Sequence, residues 1–264
     1  MLHFGEEPPI SFKNGSGTIF FTGCSLRCPF CQNMQISQGN SNKKHYSTKE
    51  FIEIIENLIN KGAENINFVT PDHFLPHIIE GVTHIKQKHN IPLVYNCSGF
   101  QNKYNLEKAV DLMDIFLFDY KFADTELVNY LFKTDKYLTV VENALEFIYK
   151  KKGNLTLDQH GKATTGVLVR HLVMPNFIEN SIKVINNLFF NFGNTIFLSL
   201  MSQYSPLYLK NGFEKINRRL KMREYEEIVS LVNNLGFKNC YIQEFIDHDD
   251  EYLPDFKRDG VFKQ

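Results

Sequence analysis

The chain has 264 residues, 43% of them apolar, which is enough for one large α/β domain with a full core or for two small ones. Its 29 Lys and Arg nearly balance 30 Asp and Glu, leaving a formal net charge of -1. No global field therefore draws the protein to nucleic acid or to an anionic membrane surface.

The start, Met1-Leu2-His3-Phe4-Gly5-Glu6-Glu7, has neither a basic n-region nor an apolar h-region. No later stretch approaches the roughly 18 apolar residues of a membrane helix, so no membrane partner is expected and the cytoplasm is the expected location. Five cysteines, three of them between Cys24 and Cys31, do not resemble a secreted disulfide framework. In a reducing compartment such crowding points to metal or redox chemistry.

In chain order, the first strand is expected over residues 18–22. A helix follows over residues 48–60, where Ser47 and Glu50 form a capping-box pattern and Phe51, Ile54, Ile55 and Leu58 make one apolar stripe ahead of Gly62. Strands at 66–69, 92–95 and 115–118 alternate with helices at 76–88, 106–112 and 140–151. The polar stretch between Gly153 and Gly166 reads as a hairpin or a mobile loop. Strands at 167–173 and 195–200 and helices at 181–191 and 223–234 complete the series, the last helix stopped by Gly236. Continuous apolar runs suit strands buried on both faces. Six βα units in a row imply an α/β fold with a parallel sheet, doubly wound or a full or partial barrel, with its chemistry where the strands end. One domain is expected over residues 1–246, then a polar tail, 247–264, in which Asp247-His248-Asp249-Asp250-Glu251 reads as a solvated charge run.

Directly after the first strand comes Gly23-Cys24-Ser25-Leu26-Arg27-Cys28-Pro29-Phe30-Cys31. The spacing C-x3-C-x2-C lets three thiolates converge from one loop on a soft metal centre, iron–sulfur or zinc. Three ligands on a cubane leave one iron open to a substrate or cofactor. Two other readings stand beside this one. Cys28 and Cys31 could form a thioredoxin-type pair, making the protein a thiol–disulfide oxidoreductase, or the loop could hold structural zinc with His45 as fourth ligand. Cys97 and Cys240 read as small core residues, and His73 and His77 as surface or helix-start histidines. Arg170 is a charge inside an apolar strand and needs a carboxylate: Asp119, another internal acid, or one on a bound molecule.

With Phe30 just before the third cysteine, the loop resembles the radical S-adenosylmethionine signature. The likeness runs over nearly the whole chain to the pyruvate formate-lyase activating-enzyme-like branch of that family. It is carried by Gly17-Thr18-Ile19-Phe20-Phe21, Asn65 to Pro71, Val94 to Phe100, Asp119-Tyr120-Lys121, Arg170 to Pro175 and Met201-Ser202-Gln203-Tyr204. The resemblance implies a single-domain partial (β/α)6 TIM-like barrel holding a [4Fe-4S] cluster and S-adenosylmethionine. The unique iron would bind the amino and carboxylate groups of that cofactor, and an electron would cleave it to methionine and a 5′-deoxyadenosyl radical.

By the same resemblance Cys24, Cys28 and Cys31 are the metal ligands. Phe30, Thr70, Pro71, Asn96, Ser98, Asp119, Lys121, Arg170, Gln203 and Tyr204 fall at the cofactor-binding positions. The implied partners are an external electron donor of flavodoxin or ferredoxin type and a glycyl-radical protein that gives up a glycine hydrogen. A small-molecule substrate is the alternative, in a pocket that Tyr95, Tyr120, His171 and Tyr204 would line. Two elements depart from the activating-enzyme pattern: Thr70-Pro71-Asp72-His73 stands in place of Gly-Gly-Glu, and Asn96-Cys97-Ser98-Gly99 in place of Asp-Thr-Asn-Gly. Asp119 and Lys121 keep its Asp-x-Lys.

Overall fold

The computed structural model describes residues 1–38, 45–134, 136–245 and 254–256. The charge run at 247–251 lies outside them.

The chain opens with β1 (Leu2–His3) and a short helix α1 (Pro8–Ser11), then enters β2 (Ser16–Phe20). The cysteine loop and the short α2 (Met34–Ser37) lead to α3 (Thr48–Asn60). Its capping box is formed in both directions, Glu50 N donating to Ser47 Oγ at 3.3 Å and Ser47 N to Glu50 Oε2 at 2.8 Å. The series continues with β3 (Ile66–Val69), α4 (Leu75–Lys88), β4 (Leu93–Cys97), α5 (Lys103–Leu112) and β5 (Ile115–Asp119). Two helices, α6 (Thr125–Phe132) and α7 (Tyr137–Lys152), follow β5. The glycine-bounded stretch is a hairpin, β6 (Thr156–Leu157) folding onto the start of the ten-residue β7 (Ala163–Leu172). Then come α8 (Ile178–Phe192), β8 (Phe197–Met201), α9 (Met222–Asn234) and β9 (Asn239–Ile242).

All six expected strands and all six expected helices are present, those at 48–60 and 66–69 with the expected bounds and the others with shifted ends. The sheet runs in the order β1-β2-β3-β4-β5-β7-β8-β9, parallel from β2 to β9, with β1 antiparallel at one edge. β9 adds a seventh parallel strand to the six βα units. Among the described residues β1 pairs only with β2 and β9 only with β8, so the sheet is not a closed barrel.

Alternation along each strand sorts the side chains into two cores. Tyr95, Phe116, Phe118, Val167, Val169, Leu198 and Leu200 pack outward in one core with the helices. Val94, Ile115, Leu117 and Leu168 pack inward around Ile10 of α1, which is fully buried. Above this apolar floor the inner face turns polar. Asp119, Arg170, Ser199 and Tyr241 stand in register on β5, β7, β8 and β9.

Candidate active site at the strand ends

A cavity of about 610 Å³ occupies the inner side of the sheet at the carboxyl ends of its strands. The loop after β2 brings Cys24, Cys28 and Cys31 to it, Cys28 buried and the other two partly exposed. Loop turns make this possible: Gly23 has φ +88 and Arg27 φ 52, left-handed conformations that bend the loop sharply. His73 Nε2 donates to the Thr22 carbonyl at 2.6 Å, bracing the loop from outside. Ser37 Oγ donates to Cys31 Sγ at 3.3 Å.

Three glutamines spaced three apart fasten this loop to the C-terminal half of the chain. Gln32 Nε2 donates to the Gln203 carbonyl at 2.7 Å. Gln35 Nε2 donates to Tyr208 at 3.3 Å and to Asp255 Oδ1 at 3.2 Å. Gln38 Nε2 donates to the Cys28 carbonyl at 2.7 Å, and its Oε1 accepts from Lys210 at 2.6 Å.

Of the ten residues expected around the cofactor, nine line this one cavity; Pro71 does not. Pro71 is buried where it opens a 3-10 turn, and the neighbouring Thr70, at φ 53, is the residue that reaches the cavity. Phe30 and Tyr204 form one wall, their ring centroids 5.5 Å apart, and the Tyr204 hydroxyl donates to the Ile216 carbonyl at 2.9 Å. Gln203 reaches the lining from the loop after β8 and accepts from Gln243 at 3.3 Å. Ser98 is 5% exposed, lines the cavity, and its Oγ has no hydrogen-bond partner among the described residues. A buried, unpaired hydroxyl facing a cavity is what a bound polar molecule would satisfy.

Lys121 and Asp119 form an ion pair in the wall. Burial alone would lower the Lys121 pKa, but the adjacent Asp119 carboxylate outweighs it and holds the ammonium above its usual range. Burial pushes the Cys28 and Cys24 thiols up, most strongly at Cys28, where Lys121 opposes the shift. Without a metal the Cys24 and Cys28 thiols stay protonated, and a metal must displace those protons.

Arg170 is buried and does not pair with Asp119. Its Nε donates to Glu7 Oε1 at 2.8 Å and its Nη2 to both Glu6 and Glu7. Glu6 Oε1 also accepts from Asn67 at 2.7 Å. Burial would raise the Glu7 pKa, but the adjacent guanidinium reverses the shift and keeps this carboxyl below its usual range.

The expected small-molecule lining is corrected in three of four positions. Tyr95, Tyr120 and His171 face away from the cavity toward the helices, and only Tyr204 lines it. Strand alternation is the reason: Tyr95 lies between inward-facing Val94 and Asn96, and His171 next to inward-facing Arg170. The Tyr95 hydroxyl donates to Asp72 at 3.1 Å, and His171 Nδ1 to the Tyr120 carbonyl at 2.9 Å. Cys97 is buried as expected, whereas Cys240 is partly exposed.

Sequence reasoning missed the acids at 6 and 7, the three glutamines and the segment Pro254–Phe256. Only the glutamine spacing was a readable signal.

The class this defines is an α/β fold with a three-cysteine loop at the mouth of an open parallel sheet. Residues 18–157, just over half of the chain, match the model of the Radical SAM superfamily. An uncharacterized protein of Methanocaldococcus jannaschii is 30% identical over 249 residues, covering 91% of this chain and 68% of that one. The chain belongs to the radical SAM superfamily, whose enzymes carry out radical chemistry, and takes a [4Fe-4S] cluster and S-adenosylmethionine as cofactors.

Solved structures share the fold at low identity. Streptococcus suis SuiB bound to S-adenosylmethionine matches with a TM-score of 0.56 and 13% identity, over 89% of this chain and 54% of that one. Native anSMEcpe with bound AdoMet matches with a TM-score of 0.56 and 18% identity, over 85% and 64%. The chain thus spans about half the length of SuiB. No helix among the described residues is long and apolar enough to cross a membrane.

The donor set suits the cluster: Cys24, Cys28 and Cys31 come from one loop to one cavity, three soft ligands of the kind that hold iron–sulfur centres.

Proposed function

We propose that Cys24, Cys28 and Cys31 would hold the cluster, that S-adenosylmethionine would bind beside it in the same cavity, and that the enzyme abstracts hydrogen from a substrate. The observation that carries this reading is the meeting of three thiols, the Asp119–Lys121 pair and the unpartnered Ser98 hydroxyl in one cavity. With both cofactors bound, the cluster supplies the electron that cleaves S-adenosylmethionine and yields the 5′-deoxyadenosyl radical.

Around them the chain's own residues bind and exclude water. Lys121 offsets the negative charge of the thiolates, and Ser98 and Asn96 meet polar atoms of the cofactor. The Thr70 carbonyl replaces the missing Gly-Gly-Glu carboxylate as acceptor for its amino group. Phe30 and Tyr204 close one side. The electron comes from a flavodoxin- or ferredoxin-type donor, which fits a cytoplasmic setting. A thiol–disulfide role fits less well, because a reactive thiol needs a lowered pKa and burial raises those of Cys24 and Cys28.

Two substrate readings rest on different grounds. The resemblance to the activating-enzyme branch supports a glycine of a glycyl-radical protein. The cavity supports a small molecule: its volume falls within the roughly 300–1,000 Å³ of such sites, and residues near both chain ends wall it.

The test begins with anaerobic reconstitution of each Cys→Ala variant. C24A, C28A and C31A are expected to lose the cluster and the formation of 5′-deoxyadenosine, and C97A and C240A to keep both. Full iron content in any of the first three sinks the assignment. Reduced enzyme is then mixed either with glycyl-radical proteins of the same organism or with a metabolite fraction. A glycyl-radical signal in electron paramagnetic resonance supports the first substrate, and stimulation by metabolites alone supports the second.

A further inference from the structure

The segment Pro254–Phe256 lies far from the cysteine loop in sequence yet packs against it. Pro254 is buried and lines the cavity. The Phe256 ring meets Phe20, itself a lining residue, edge to face with centroids 5.1 Å apart. Phe256 N donates to Gln35 Oε1 at 2.7 Å, while Gln35 Nε2 donates to Asp255 Oδ1 at 3.2 Å. One amide side chain, four residues after Cys31, thus uses both its donor and its acceptor on two consecutive residues of this segment. The segment lies outside residues 18–157, the part matched by the family model.

We infer that Pro254–Phe256 is a clasp that completes the wall of the cofactor cavity, with Gln35, Asp255 and Phe256 as positioning residues that hold it against the cysteine loop. The inference rests on the reading that the cluster sits on Cys24, Cys28 and Cys31. Its physical basis is water exclusion: Pro254 covers the cavity, the Phe256 ring packs against the lining residue Phe20, and a paired amide fixes them at one register. Loss of the ring removes the apolar contact. Loss of the Gln35 donor sets two carboxylate-type acceptors against each other.

The experiment uses the full-length reconstituted protein. The rate at which a water-soluble iron chelator bleaches the cluster is measured, together with equilibrium binding of S-adenosylmethionine. F256A and Q35E are expected to bleach at least about tenfold faster than the parent and to bind the cofactor about tenfold more weakly, a change equivalent to roughly 1.4 kcal/mol.

The double variant Q35E/D255N restores a donor to the pair with its direction reversed, the amide now on the clasp and the carboxylate on the cysteine loop. It is expected to recover most of both losses. A residue with only a general structural role would not be rescued by this exchange. Thermal unfolding of each variant separates clasp opening from global instability. If F256A and Q35E match the parent in bleaching and affinity, or if the double variant is no better than Q35E, the clasp is wrong. A parent protein that holds no cluster overturns the underlying reading instead, so the two failures are distinct.

Discussion

Asp72 shows how one residue can carry a measurable electrostatic load. It is buried, its Oδ1 accepts from Tyr95, and its Oδ2 has no hydrogen-bond partner among the described residues. Burial lifts its pKa from 3.8 to about 6, opposed by the Tyr95 hydrogen bond. A carboxyl whose folded pKa is raised holds its proton more tightly in the folded state. Its contribution to stability is therefore full below the unfolded value and is lost as pH rises through about 6. Above that, ionised Asp72 opposes folding by up to about 3 kcal/mol. Asn at this position keeps the acceptor for Tyr95 and cannot ionise. D72N is expected to raise the Tm of the metal-free protein at pH 8, with the gain shrinking to nothing near pH 4. A gain of the same size at both pH values rules out ionisation as its cause.

Between β4 and α5, Gly99 has φ +73, and a Cβ built there would lie 2.4 Å from the Phe118 ring. That close approach carries Ser98 into the cavity. Replacing Gly99 with Ala adds left-handed strain and overpacking, together roughly 2–5 kcal/mol, measurable by urea unfolding. Affinity for S-adenosylmethionine is expected to fall with it, and an unchanged midpoint would show that the loop yields without cost. The glycine was visible in sequence, but its contact with Phe118 was not. Elements buried on both faces were legible, because runs such as Ile115-Phe116-Leu117-Phe118 have no other use than a central strand. Missed were β1, of two residues, and β9, whose Asn239-Cys240-Tyr241-Ile242 mixes polar and apolar positions at a sheet edge, whereas β6 falls in the stretch read as a hairpin or a loop. The helix α6 has only eight residues, although its Asp124 cap, accepting from Leu127 N at 2.8 Å, was a readable signal. The cysteine ligands were legible because one loop holds them all. The partners of Arg170 were not, since no local pattern links positions 163 and 164 residues apart.

At the scale of the whole molecule, the N-terminal residues finish the inner face of an open sheet. Ile10 completes the apolar floor, the Asn65 amide donates to its carbonyl at 2.7 Å, and Glu6 and Glu7 meet Arg170 one layer above. Two carboxylates on one guanidinium, Glu7 and Arg170 buried and Glu6 partly so, make a group that cannot lose one member cheaply. Arg170→Met is expected to cost about 3–5 kcal/mol, since it strands Glu6 and Glu7 without their counter-charge. The sign of the pH dependence follows from Glu7. In the parent its pKa is depressed, so its contribution is present above the unfolded value and is lost as pH falls through the lower folded one. In R170M the guanidinium no longer opposes burial, the largest influence on Glu7, so that pKa is expected to rise and protonation relieves the stranded charge. The gap between parent and R170M is therefore expected to be widest near pH 7.5 and to narrow toward pH 4.5, measured by urea unfolding of the metal-free proteins. The triple variant E6Q/E7Q/R170M removes all three charges and is expected to recover most of the lost stability. Cofactor binding then separates the two roles of Arg170. If the triple variant folds well but binds S-adenosylmethionine as weakly as R170M, the guanidinium contacts the cofactor as well as the two acids. If affinity returns with stability, its task is to hold the N-terminal residues in place. A triple variant no more stable than R170M would show that the ion cluster is not what anchors this end of the chain.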